Sequence, residues 1–329
     1  MPVTSDIRQR SLGEVGEFDL IDVFTAGLPD VEGVLLGPGD DAAVLDLVGP
    51  VVSSVDVLVE GVHFRRDWSE AADVGRKAVA VNVADIEAMG GRALGVLVGF
   101  SAPPELPAAW AIDFATGLHQ ECAAAGVALL GGDTTRARDV TVSVTVLGTL
   151  EGREPVRRSG AQPGDVVALT GRTGWAAAGL VVLGRGFRSP RAVVEAQRVP
   201  QVPYGAGAAA ARAGATAMID VSDGLLADLG HVAAASDVVV DLRTEAFEVP
   251  EPLQAVSAAT GTDPLKLILT GGEDHALVAC FAVEGDVPEG WRVVGRVRQA
   301  AAGEEPGVLV DGTTWDETPG FDHFRGGRR

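Results

Sequence analysis

A chain of 329 residues with 47% hydrophobic residues and a formal net charge of −20 has material for about two cores of roughly 150 residues each. Basic residues pair only briefly, as in Arg65-Arg66 and Arg157-Arg158, so the clustered cationic face that a nucleic acid requires is missing. Cys122 and Cys280 supply neither a disulfide framework nor zinc spacing. The N-terminal segment has no signal-peptide core, and no apolar run reaches the roughly 18 residues of a membrane span. A soluble cytoplasmic protein is expected.

Residues 1 to about 36 read as helical, and 51–59 (VVSSVDVLV) as a strand leading into a loop through His63. Ser69 stands where a helix running to Met89 needs its N-cap, and Gly90-Gly91 ends that helix. A strand at 94–100, a helix at 105–125 and a short strand at 127–130 follow, the last running out into Gly131-Gly132-Asp133. Over 139–147 the pattern alternates. Val140, Val142, Val144 and Val146 share one face, and Thr141, Ser143 and Thr145 the other, as in a half-buried strand. This closes a first domain, residues 1–150. The polar, turn-rich stretch 151–165 links it to a second, so that the second domain covers 151–329. Its expected elements are a strand at 166–170, a Gly-rich turn at 171–174, an Ala-rich helix and helical segments to Gly214. A strand at 216–219 then enters Asp220-Val221-Ser222-Asp223-Gly224 and another helix, with later strands at 237–242, 275–283, 291–298 and 307–311. Irregular alternation of helices and strands predicts an α+β fold, two helix-covered mixed-sheet domains, rather than a doubly wound sheet.

Aspartates at the ends of apolar segments carry the strongest chemical signal. They are Asp40-Asp41 in GPGDDAAV, Asp56 in VVSSVDVLV, Asp85 in KAVAVNVADIEAMG, Asp133 in LLGGDTT, and Asp220 and Asp223 in IDVSDG. Taken singly, such a residue reads as a turn or cap. Asp85 differs, because Val81, Asn82 and Ile86 place it near a buried helix face. A buried carboxylate requires a partner, and several converging carboxylates with oxygen-only donors suit Mg²⁺ better than zinc or copper.

Phosphate handling is the second signal, although no GxxxxGK[ST] motif occurs. GRTGWAAAG at 171–179 fits a phosphate-binding turn or an ordinary tight turn equally well. Gly131-Gly132-Asp133-Thr134-Thr135 is stronger, offering close backbone approach, a carboxylate and hydroxyls together. Arg158 suits either a phosphate clamp or a solvated linker. His63 in EGVHF, Glu273 in LTGGEDHAL and Phe321 in GFDHF are candidates for substrate contact, set against plain capping, turn and packing roles.

The strings GPGDDAAV, DVLVEGVHF, KAVAVNVADIEAMG, LLGGDTTR, RRSGAQPGD, IDVSDGLLADLGH, LTGGEDHAL and GFDHF span residues 37–324 in order. Together they resemble the thiamine-monophosphate kinases, within the aminoimidazole-ribonucleotide-synthetase-like ATP enzymes. The resemblance implies a first-domain sheet that pairs with a second subunit, and hence a homodimer. It implies Mg²⁺-dependent transfer of the ATP γ-phosphoryl group directly to thiamine monophosphate, giving thiamine diphosphate. Asp41, Ser54, Asp56, Asp85, Asp133, Asp220 and Asp223 would bind several Mg²⁺ ions. Val55 stands where the family often has Thr, leaving only its backbone carbonyl as a ligand. Gly132, Asp133, Arg158 and Ser222 would contact ATP. His63, Glu273 and Phe321 would contact thiamine monophosphate, with Phe321 where Tyr or Trp is common. Neither nucleic acid nor membrane is an implied partner. Two sibling activities fit less well. A selenophosphate synthetase needs a reactive Cys before Cys122, and the hydrogenase-maturation relative needs a C-terminal Cys where this chain ends FRGGRR. A catalytically silent nucleotide- or metal-binding regulator would have lost ligand aspartates, and here all the matched ones remain.

Overall fold

Alternating valine with serine and threonine builds the centre of a four-stranded sheet in the first of two structural units. The computed structural model describes residues 7–47 and 49–320. One unit takes Met1–Ile86 with Arg92–Arg153, the other Glu87–Gly91 with Glu154–Arg329.

The first unit includes two helices, α1 (Leu12–Val15) and α2 (Glu17–Thr25), and a hairpin of β1 (Val34–Leu36) and β2 (Val44–Leu45). It continues through β3 (Val51–Val59), α3 (Ala71–Ala88), β4 (Arg92–Ala102), α4 (Ala108–Ala125), β5 (Ala128–Arg136) and β6 (Thr141–Thr149). Strand order is β3-β6-β4-β5, with β4 and β5 parallel and the other pairs antiparallel. The face carrying Val142, Val144 and Val146 is buried. Phe100 of β4 meets Phe24 of α2 edge-on at 5.5 Å and Phe114 of α4 at 5.3 Å. On the opposite face Val55, Thr145 and Leu97 are paired across three strands, and Val55 and Leu97 are exposed there.

The second unit carries β7 (Val166–Thr170), α5 (Trp175–Gly184), α6 (Arg191–Arg198), α7 (Ala206–Arg212), β8 (Ala217–Val221), α8 (Leu225–Ser236) and β9 (Val238–Leu242). Then come α9 (Glu251–Thr260), α10 (Pro264–Thr270), β10 (Ala276–Phe281), β11 (Arg292–Gln299), β12 (Gly307–Val310) and β13 (Thr313–Thr314). Its seven strands run β13-β12-β9-β11-β7-β10-β8, and only β12 with β9 is parallel. Both units join helices to mixed sheets, as an α+β fold should.

Three stretches differ from the sequence expectation. The N-terminal helical region ends at Thr25, after which Gly27 adopts φ +68° and Pro29 follows, and the hairpin begins by Val34. β5 does not stop at Leu130 but runs through Gly131-Gly132-Asp133 to Arg136, because β4 offers partners as far as Ala102. Gly132 permits that pairing, since a Cβ there would lie 2.0 Å from the Val98 carbonyl oxygen. The helices α9 and α10 occupy a region with no sequence expectation.

Candidate functional site

The first unit brings three of its candidate oxygen donors onto two adjoining elements. Ser54 and Asp56 point the same way from β3, because alternate strand residues share a face, and α3 lies against them. Ser54 Oγ donates to Asp85 Oδ2 at 2.5 Å, and the Asp56 N–H donates to Asn82 Oδ1 at 3.0 Å. Asp85 is therefore half-buried with a rotatable hydroxyl beside it rather than sealed in the core. The Val55 side chain turns to the opposite, exposed face. Asp133 is exposed on β5, and a cavity of about 400 Å³ lined by Leu20, Phe100, Thr134, Thr135 and Arg136 opens at the carboxyl ends of β4 and β5. Asp41 is exposed between β1 and β2, where its N–H donates to Asp40 Oδ1 at 2.8 Å. His63 is half-buried. Its Nδ1 accepts the Val59 N–H at 3.1 Å and its carbonyl accepts from Lys77 Nζ at 3.2 Å.

In the second unit β8 ends at Val221, so Asp220 lies inside the strand and Ser222 and Asp223 in the turn before α8. The segment around Glu273 is laced to this turn. The Glu273 N–H donates to the Ser222 carbonyl at 2.7 Å and the His275 N–H to the Val221 carbonyl at 2.9 Å. Both residues hold positive φ, +70° and +50°, a conformation that costs energy for non-glycine residues. His275 Nδ1 lies 3.1 Å from Asp220 Oδ2. Asp228 Oδ2 accepts the N–H groups of Asp223 and Gly224 at 3.1 Å each. Burial first, then the charges of Asp220 and Asp223, push Asp228 up to about 7 despite those amides. Arg158 is exposed in a short 3₁₀ turn, and its carbonyl accepts the Ser236 hydroxyl at 2.9 Å. Phe321 lies outside the described residues.

The glycine turn at 171–174 resolves as an internal anchor. Asp274 is buried and accepts the Ala176 N–H at 2.9 Å, at the start of α5. The protein's own carboxylate thus fills the helix end that a phosphate would have taken. Desolvation raises this carboxyl to about 7, outweighing the amides of Ala176, Gly174 and Trp175 and the charge of Arg172. Its second oxygen has no hydrogen-bond partner, which explains why burial wins.

Each unit by itself presents donors that fit a hard divalent cation: Ser54, Asp56 and Asp85 adjoin across β3 and α3 in the first, and Asp220, Asp223 and Asp228 crowd one another in the second. Among the described residues no group of three or more His, Cys, Asp or Glu is arranged to hold a metal alone. Mg²⁺ is characteristically held by one or two carboxylates, with waters and substrate phosphates completing its shell, so the donor set suits Mg²⁺ brought with a nucleotide. Sequence reasoning missed Asn82, Asp228, Asp274 and His275. Each lies inside a quoted motif, and Asn82 is one helical turn from Asp85, which is the signal that was available for it.

Residues 39–150 match the AIR synthase related protein, N-terminal domain, and residues 162–302 the corresponding C-terminal domain. The thiamine-monophosphate kinase of Mycobacterium tuberculosis is 50% identical over 316 residues, covering 95% of this chain and 93% of that protein. The chain belongs to the thiamine-monophosphate kinase family. The Corynebacterium glutamicum member is 38% identical across 94% of this chain and 93% of its own. A structure of AaThiL complexed with AMPPCP and TMP superposes with a TM-score of 0.77 at 28% identity, over 95% of this chain and 98% of that one. Among the described residues no helix is long and apolar enough to cross a membrane.

Proposed function

We propose that the chain is an ATP-dependent phosphotransferase that converts thiamine monophosphate to thiamine diphosphate by direct in-line transfer of the γ-phosphoryl group. The observation that carries this reading is near-full-length similarity to thiamine-monophosphate kinases, at 50% identity in one case. Supporting it, a family structure holds AMPPCP and TMP together, and the carboxylates needed are all present.

The assignment follows from charge. An anionic acceptor must approach an anionic donor, and each pair of unit charges at 4 Å costs about 4 kcal/mol at an effective dielectric near 20. Bound Mg²⁺ supplies the charge neutralisation that this encounter needs. Asp41, Ser54, the Val55 carbonyl, Asp56, Asp85, Asp133, Asp220 and Asp223 would between them hold several such ions. Gly132, Asp133, Arg158 and Ser222 bind ATP, and the cavity beside β5 supports nucleotide binding near Asp133. His63, Glu273 and Phe321 take thiamine monophosphate, whose cationic ring suits acidic surroundings. A phosphate acceptor is ionised near neutral pH, so no strong general base is required. The exposed row of Val55 and Leu97 supports a first-unit sheet that is covered by a second subunit. A cytoplasmic homodimer follows from this reading.

The test is to incubate the chain with ATP, Mg²⁺ and either thiamine monophosphate, thiamine or a purine-pathway ribonucleotide, and to follow ADP and products. Thiamine diphosphate formed from the monophosphate alone is expected. Faster turnover of thiamine, or a labelled phosphoenzyme formed before acceptor is added, rejects the proposal.

A further inference from the structure

Among the described residues β3 is an edge strand. It pairs with β6 on one side, and Asn82 of α3 takes the Asp56 N–H that no strand accepts among the described residues. Asn82 is fully buried. Its Oδ1 accepts the Asp56 N–H at 3.0 Å, and its Nδ2 donates to the Ala78 carbonyl at 2.9 Å. Three residues further along the same helix face, Asp85 takes the Ser54 hydroxyl at 2.5 Å. The segment Ser54–Asp56 is therefore held by the sheet ladder to β6 and by two polar contacts to α3.

An amide at this depth is an expensive choice. Ala78, Val79, Val83 and Ile86 around it are all buried, and an apolar side chain would pack among them without needing hydrogen bonds. What the amide alone provides is an acceptor for a specific N–H of β3 outside the β6 ladder, at the residue whose carboxylate lies in the candidate site. Fixing that N–H fixes the Asp56 backbone and so the direction from which its side chain departs.

We propose that Asn82 is a positioning residue, which sets the Asp56 carboxylate for divalent-cation binding by holding the strand beneath it. This rests on the reading of Asp56 as an Mg²⁺ ligand. A purely structural Asn82 would affect stability alone. A positioning Asn82 affects cation affinity beyond any loss of stability, as groups that orient metal ligands do.

The experiment titrates Mn²⁺ into the full chain saturated with a non-hydrolysable ATP analogue, following binding by water-proton relaxation and unfolding by thermal melt. Asn82→Leu, Val79→Ala and Asp56→Asn are compared with the parent. Val79→Ala trims the same buried helix without removing a hydrogen-bonding group. Asn82→Leu is expected to weaken Mn²⁺ binding by about tenfold or more, while Val79→Ala stays within about twofold although both variants melt earlier. If Asn82→Leu does not fold, Asn82→Ala replaces it with the same expectation. Unchanged Mn²⁺ affinity in the folded Asn82 variant, alongside weakened binding in Asp56→Asn, overturns the proposal and leaves the ligand assignment standing. Equal weakening in Val79→Ala and the Asn82 variant also overturns it. Unchanged binding in Asp56→Asn removes the ligand assignment itself, and the proposal with it.

Discussion

The buried Asp274 carboxyl makes the stability of the fold depend on pH in an unusual direction. Its native value is about 7, whereas an unfolded aspartate titrates near 3.9. Between those values the native state binds more protons than the unfolded chain, so stability falls as pH rises. The penalty is absent below the unfolded value and complete above the native one. From pH 5 to pH 7 this single group withdraws about 2 kcal/mol. Asp274→Asn keeps a carbonyl oxygen for the Ala176 N–H but cannot ionise. Urea denaturation of both proteins across pH 5 to 7.5 measures the effect. Whatever the fixed cost of the substitution, the stability of the variant relative to the parent should improve by about 2 kcal/mol over the first two pH units. A difference that stays constant with pH would show that Asp274 titrates near its ordinary value, and the account of an anchored but half-satisfied carboxyl would fail.

Three further outcomes are expected. Asp56→Asn, Asp85→Asn and Asp133→Asn should each lower kcat by about a hundredfold or more, equivalent to about 3 kcal/mol, with unchanged circular dichroism; full activity in a folded Asp85→Asn protein would disprove the ligand assignment. Glu87 is buried and accepts the N–H groups of Gly205 and Gly207 at 2.7 and 2.8 Å, so Glu87→Leu should cost about 2 kcal/mol or more in urea denaturation by orphaning both amides. Light scattering at micromolar concentration should show twice the 33.7 kDa chain mass, and a monomer there would count against pairing through the exposed sheet face.

Much of the fold was legible because it depends on local periodicity. The valine alternation placed β6, and the run VVSSVDVLV placed β3 at 51–59. The β5 extension was hidden because strand identity past Leu130 depends on what β4 offers beside it, and glycine pairs read locally as turns. The carboxylates show the same limit. Asp85 and Glu87 stand two residues apart in one motif, yet Glu87 caps α7, reaching the Gly205 amide across 118 residues of sequence. Asp274 likewise reaches Ala176 across 98 residues, which turned a candidate phosphate turn into a helix anchor.

A sequence motif records that an acid is needed but not which kind of partner it meets. That distinction separates the two classes of carboxylate here. Glu87 and Asp274 accept backbone amides, which are fixed by helix geometry and cannot turn away, so these acids build the frame. Asp85 instead meets the Ser54 hydroxyl, which can rotate to offer its lone pairs to a cation. The Ser54–Asp85 contact thus holds two oxygen donors together and leaves both able to change partner, which a backbone-capped acid cannot do. The same chemistry, a carboxylate at the end of an apolar segment, becomes scaffold or site according to whether its partner can move.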